Sequence, residues 1–400
     1  MWAFDRLRKK ASPGVDNVTW EEYEVNLKGN LEDLVDRLKS KSYRARLIKR
    51  KYIPKINGKM RPLGIPVLED KIIQLAVARI LDSIFDGHFH DGSYGYRKNT
   101  GAKDAVDELK FSLTFGTFGY VVEADIKGFF DNIDHDWMLR MLEHRINDKA
   151  FIGLIRKWLK AGILDDGMVI NPATGTPQGG IVSPVLANIY LHYALDLWFE
   201  KCIKPRCSGK CILVRYADDY VAAFQYKNEA EWFYQKQSER LNKFNLEIAP
   251  EKTNLIRFTR FIPNKGESFE FLGFSFQWRP VRSGKPMVSA TTSKKKFTAS
   301  VATFKEWIKS NRNKRVNVLM RKLKSKLQGY WNYYGIPGNS RALKSMFRQV
   351  YELLFKWLNR RSQRKSYTRW GLNDLLATFN VPKPCIKPFP YTHRRRLQWS

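Results

Sequence analysis

The sequence predicts an α+β chain that passes into an all-helical, strongly basic block. Three observations carry this. Residues 119–285 alternate apolar strand-like runs with amphipathic helical ones. From about Ser293 the apolar residues begin to recur every four positions. Positive charge gathers in the same region: of the chain's net +32, +23 falls in residues 286–400, where 26 Lys and Arg face only Glu306, Glu352 and Asp374.

The elements follow in order. Residues 1–118 mix helix-like stretches with a hairpin signal, YIPKINGKMRPLGIP, in which Asn57-Gly58 separates two strand-like runs. Within 119–285, FGYVVEADI reads as a strand. SPVLANIYLHYALDLWF reads as a helix opened by Ser183, with Pro184 in its first turn. ILVRYADDYVAAF reads as two strands around a turn at the aspartates, and FEFLGFSFQW as a further strand. In 286–400, Leu319, Leu323, Leu327 and Trp331 form one helical stripe with Arg321, Lys322, Lys324 and Lys326 on the other faces. Asn339 or Ser340 caps a second helix, whose stripe is Leu343, Phe347, Tyr351, Leu354 and Leu358. One such basic helix would suit a membrane surface, but several in succession can bury each other.

Composition narrows the function. With 43% hydrophobic residues and 14% aromatic, the chain can build real cores. Its apolar runs are too short to span a bilayer, and MWAFDRLRKK lacks a signal-peptide core, so a cytoplasmic protein with no membrane partner is expected. The charge points to a polyanion, most simply nucleic acid, but names no reaction. Four cysteines do not make a disulfide scaffold. Cys202, Cys207 and Cys211 cluster without an evident fourth zinc ligand and read as loop or core thiols.

The chemistry centres on VRYADDYVAAF, residues 214–224. Asp218 and Asp219 stand side by side in an apolar run, which is costly unless a cation relieves them. A tight hairpin would project Asp218, and Asp125 ends another apolar strand in VVEADIKGFFDNIDHDW, with Glu123 on the same side. Carboxylates converging from two strands make a two-metal phosphoryl-transfer site. Taken singly, each acid reads equally well as a solvated turn residue.

YADD with its preceding Arg, TPQGGIVSPVLANIYL, DIKGFFDNIDH, RPLGIP and DGSYGYRKNTGA together resemble the reverse transcriptases encoded by group II introns. The likeness continues through FNLEIAPEKTNLI, FEFLGFSF and LQGYWNYYG. It implies a right-hand polymerase: fingers over 1–118, a catalytic palm with interleaved finger segments over 119–285, and a helical basic thumb, or maturase domain, over 286–400. It implies RNA-directed DNA polymerase activity with two Mg²⁺ ions, replaceable by Mn²⁺, held by Asp125, Asp218 and Asp219. The implied partners are an RNA template, a DNA primer, deoxynucleoside triphosphates and a structured intron RNA whose splicing the thumb would assist.

By the same resemblance Lys55 and Arg61 would grip the triphosphate, and Phe130 would lie under the incoming sugar and exclude a 2′ hydroxyl. Gln178 and Gly179, in the TPQGG turn, would approach the nucleotide, and Lys252 would protonate the leaving pyrophosphate. Tyr94, Tyr96 and Arg97 would meet the template or primer by stacking and phosphate pairing. His88 and His90 stand beside an aspartate, so a metal site is conceivable, but alternate residues offer only two imidazoles and template contact is the stronger expectation. The sequence departs from the family's usual pattern in a short segment before ASPGVDNVTWEEY and in ending at RRRLQWS. The short first segment weakens any expectation of template switching or template-end binding, and target-DNA cleavage by an endonuclease domain is not expected. Two alternatives stay open: a splicing factor with a vestigial polymerase site, and a polymerase recruited to host defence or CRISPR spacer acquisition.

Overall fold

The computed structural model describes residues 1–54, 60–170, 173–176, 179–261, 267–280, 284–361, 363 and 366–386. Lys55, the Asn57-Gly58 turn, Pro177 and Gln178 lie outside them. The chain divides into two compact units, residues 1–101 with 124–255, and residues 102–123 with 256–400.

The first unit holds two sheets. One has β1 (Ile48–Pro54) and β2 (Met60–Ile65) as an antiparallel pair, with Ile53 opposite Arg61. The other contains β3 (Tyr120–Lys127, in this unit from Ala124). The short strands β4 (Ile163–Asp165) and β5 (Met168–Ile170) extend the β1–β2 sheet in the order β2-β1-β4-β5. The second sheet adds β6 (Cys211–Tyr216), β7 (Asp219–Phe224) and β8 (Glu247–Ile248) in the order β6-β7-β3-β8, and β9 (Asn254–Arg257) also pairs with β3. Its interior follows from sequence: β7 reads DYVAAF, and five of its six residues are buried. Such a run suits a strand covered on both faces. The helix Ser183–Leu191 has eight buried residues and continues through π-helical turns at His192–Asp196 and Phe199–Ile203.

The second unit pairs β10 (Phe269–Phe271), β11 (Phe274–Pro280) and β12 (Pro286–Thr292) antiparallel. Alternation sends Phe274, Phe276, Val288 and Ala290 inward. Helices Lys294–Asn311, Val316–Tyr334, Ser340–Leu358 and Arg369–Thr378 follow. Leu319, Leu323, Leu327 and Trp331 are all buried, as their spacing predicts. On Ser340–Leu358 the buried stripe is Leu343, Met346, Val350, Leu354, Trp357 and Leu358, while Phe347 and Tyr351 are only partly covered. A strict four-residue step drifts off a 3.6-residue helix, so the stripe alternates threes and fours. The first seven residues of the 286–400 block are the strand β12. Among the described residues, no helix is long and apolar enough to cross a membrane.

Candidate active site

β6 and β7 pair Tyr216 with Asp219, so Ala217 and Asp218 form a two-residue turn. Ala217 carries φ +56°, a left-handed value that costs a residue with a Cβ. Its surroundings hold it there. The Arg215 guanidinium donates to the Ala217 carbonyl at 3.0 Å. Gly95 lies so close that a Cβ there would sit 2.4 Å from the Ala217 nitrogen. The segment around Ser93 runs parallel to β6, with Tyr94 N–H donating to the Arg215 carbonyl at 2.9 Å.

β7 lies next to β3, which brings Asp125 into the field of Asp218. Asp218 is largely buried, and that burial raises its carboxyl above the usual range. Asp125 repulsion pushes the same way, and Arg61 and Lys252 oppose it. Past β8, Ala249 N–H donates to the Asp125 carbonyl at 2.8 Å, and the turn Pro250–Lys252 carries the Lys252 ammonium onto the Asp125 carboxylate. That contact raises the lysine. Asp219 begins β7 and is half-buried.

The floor beside the carboxylates is aromatic. Phe129 is buried, whereas Phe130 is half-covered, and its ring meets that of Tyr96 edge-on at 6.5 Å. Tyr96 is 49% exposed. Its hydroxyl is raised first by burial and next by Asp218, while Arg61 lowers it. Arg61 itself is exposed on β2. Thr176 N–H donates to the Phe130 carbonyl at 2.8 Å, and Gly179 packs on the backbone of Gly64 in β2. Asp125, Asp218, Lys252, Arg61 and Tyr96 therefore share one electrostatic neighbourhood. Among the described residues, no three His, Cys, Asp or Glu side chains are gathered closely enough to hold a metal ion by themselves.

The family described as reverse transcriptase (RNA-dependent DNA polymerase) matches residues 53–276. The group II intron maturase-specific domain matches residues 295–376. This chain belongs to the group II intron reverse transcriptases. Protein YkfC of Escherichia coli K12 is 32% identical over 72% of this chain and 83% of its own length. The group II intron-encoded protein LtrA of Lactococcus lactis is 32% identical over 68% of this chain, which spans 53% of LtrA. The putative COX1/OXI3 intron 1 protein of Saccharomyces cerevisiae is 26% identical over 89% of this chain and 50% of its own. The chain thus spans about half the length of the two intron-encoded relatives.

Not every residue singled out in this reverse transcriptase reaches the site. Arg97 is turned into its own loop. Its guanidinium donates to Asp86 Oδ1 and to the carbonyls of Asp86, His90 and Ser93 at 2.9–3.0 Å, with its side chain 7% exposed. That makes it a brace for the loop, not an open phosphate contact. Tyr94 is half-buried and accepts from Thr100 through its carbonyl at 2.7 Å. His90 accepts from Gly92 N–H and meets Glu200 at 2.9 Å, while His88 meets Arg145 at 2.9 Å, so the two imidazoles serve different partners. Cys211 is buried and its thiol is pushed up to about 12, Cys207 is raised by burial, and Cys202 is exposed.

Sequence reading missed the support beneath the turn. Arg215 is fully buried, paired with Asp196 at 2.6 Å, and bonded to Asn188 at 3.2 Å. Asn188 in turn donates to the Gly95 carbonyl at 2.6 Å. The signal was Asn188 and Asp196, polar residues within a mostly apolar helical run.

Proposed function

We propose that this reverse transcriptase extends a DNA primer along an RNA template at Asp125 and Asp218, using deoxynucleoside triphosphates and Mg²⁺. The observation that carries the reading is the pair itself: one carboxylate on β3 and one in the adjoining β6–β7 turn, the second raised by desolvation and then by the first, with an ammonium on the first. Such an arrangement costs stability without a cation and fits a hard divalent ion. Mg²⁺ takes one or two carboxylates together with substrate phosphates, so a third protein ligand is not required, and Asp219 stands beside the pair. When bound, the cations supply charge neutralisation at the attacking and leaving oxygens.

The chain's own groups do the rest. Lys252 keeps a positive charge against Asp125 and is placed to hand a proton to departing pyrophosphate. Arg61 meets the triphosphate, as do Lys55 and Gln178 by family likeness. Phe130 and Tyr96 form a wall for the sugar, where a ring in van der Waals contact leaves no room for a 2′ hydroxyl. Gly179, having no Cβ, lets its own backbone lie against Gly64 of β2.

The test is primer extension on an RNA template. Asp218→Asn and Asp125→Asn should each lose about 10³-fold or more, the several kcal/mol that metal-assisted catalysis supplies. Undiminished extension by either variant sinks the assignment.

The maturase-specific match and the +23 charge of residues 286–400 support a second role: binding a structured intron RNA and assisting its splicing. Splicing assistance that survives in Asp218→Asn, with extension gone, would establish it as separate from polymerisation. Both roles suit a cytoplasmic, nucleic-acid-associated protein.

A further inference from the structure

We propose that the second unit contains a distinct phosphate-binding cavity, built wholly from its own residues, that seats the backbone of an RNA strand. The choice of RNA as the source of the phosphates rests on the reading above. The cavity itself rests on four observations within this unit.

Its volume is about 700 Å³, well inside the usual range for ligand sites and far larger than one phosphate ion requires. Lys110, Arg279, Lys294 and Arg341 line it, and among the described residues no Asp or Glu does. Burial lowers the Lys110 amine and Asp107, on the same helix (Ala102–Phe115), opposes that; Glu270 lies across the sheet from the wall residue Ser275, and neither acid is part of the wall. Four cations around one concavity repel each other, and folding alone gives no reason to bring them together. The Lys110 amine donates to the Pro337 carbonyl at 3.0 Å, which fixes one of these charges at the wall. Hydroxyls of Ser289 and Ser340 stand among the cations as neutral donors.

The helix Ser340–Leu358 supplies the fourth observation. Asn339 occupies its N-cap position but gives that helix no side-chain cap. Asn339 is fully buried and turned the other way. Its amide accepts from Thr292 N–H at 2.9 Å and donates to the Thr292 hydroxyl at 2.8 Å and the Tyr334 carbonyl at 2.9 Å. The next residues, Ser340, Arg341 and Ala342, line the cavity. The positive end of a 19-residue helix therefore opens where the cations gather. The helix Lys294–Asn311 is instead capped by Ser293, whose hydroxyl accepts from Lys296 N–H.

The test measures binding of a single-stranded RNA oligonucleotide to the full chain by fluorescence anisotropy across a salt series. Lys294→Gln with Arg341→Gln should flatten the slope of log Kd against log salt by about 1.5, near two phosphate contacts at 0.7–0.9 each. Lys305→Gln with Lys324→Gln, two exposed cations elsewhere on this unit, is the control. Ser340→Asp separates binding from structure. A carboxylate in the first turn favours the helix, so the melting temperature should hold or rise while RNA binding weakens about tenfold. A cavity pair that moves the slope no more than the control pair overturns the site. Calorimetric binding of inorganic pyrophosphate that the cavity pair abolishes, with the RNA slope unmoved, assigns the cavity to a small phosphorylated molecule and overturns the RNA source. Wild-type extension is scored in the same preparation. Extension with an unmoved slope rejects this site alone, and absent extension rejects the polymerase reading while the slope still decides the cavity.

Discussion

Arg215 and Asp196 meet at 2.6 Å with neither side chain exposed to solvent. A buried pair of this kind is strongly destabilising to break from one side, because the remaining charge has lost both water and partner. Asp196→Ala should therefore cost about 3–5 kcal/mol, read from urea unfolding. Asp196→Ala with Arg215→Met removes both charges and should recover much of that loss. It does not restore the hydrogen bond from Arg215 to the Ala217 carbonyl, so primer extension should remain depressed. Full recovery of extension along with stability would mean that the turn does not depend on Arg215.

Lys252 sits on Asp125 and lowers the pKa of Asp218. Its removal leaves two carboxylates facing each other without that ammonium. Lys252→Ala should reduce kcat for nucleotide addition by about 10²-fold, the lower end of what a positioned acid contributes. The Kd for template–primer should change little. An equal loss in Kd with kcat preserved would make Lys252 a backbone-binding residue instead.

Asp70 gives a pH signature in the fold rather than in the chemistry. It is 2% exposed and accepts from the Tyr43 hydroxyl, to which the Trp158 indole N–H also donates at 3.0 Å. Burial pushes its carboxyl up to about 6, despite the bonds from Tyr43 and from Arg46 N–H, which lower it. The folded chain thus holds a proton that the unfolded chain releases nearer pH 4. The stability from this group is present below the unfolded pKa and declines as pH rises through the folded one. Asp70→Asn should gain on wild type by about 3 kcal/mol between pH 4 and 6.5, then run parallel to it. A difference that stays constant over that range refutes the buried, protonated Asp70.

What the sequence made legible was periodic or local. The strands around YADD show because apolar residues flank a two-residue turn. The helix Val316–Tyr334 shows because Leu319, Leu323, Leu327 and Trp331 recur every four residues among basic ones. Asp125 and Asp218 can be paired on paper because the sequence reads each as ending an apolar strand; in the fold β3 runs on past Asp125 to Lys127 and Asp218 lies in the turn before β7, and the β7–β3 adjacency brings them together. What stayed hidden depends on where side chains turn. Arg97 looks like a phosphate contact until its donors are found on Asp86, His90 and Ser93. Asn188 and Asp196 look like lapses in an apolar helix until Arg215 is placed between them. Asn339 reads as a helix cap, yet its side chain ties β12 instead. No one-dimensional pattern reports these tertiary choices.

Gly179 provides the sharpest backbone test of the site. Its φ is +122°, and a Cβ there would lie 2.5 Å from the Gly64 carbonyl oxygen in β2. The obstacle is backbone on a paired strand, so it cannot swing aside as a side chain would. Gly179→Ala must add local strain of about 1–3 kcal/mol or push residue 179 away from β2. Either response moves the segment that the family likeness assigns to the nucleotide. The KM for deoxynucleotide should rise about tenfold, while the template–primer Kd stays near wild type. Gly167→Ala is the matched control: it too has a positive φ, +87°, but a Cβ there meets nothing within 4 Å. It should lose a comparable amount of conformational stability and leave the nucleotide KM unmoved. If both alanines raise KM alike, the effect is general strain, and the close approach of Gly179 to Gly64 has no part in nucleotide binding.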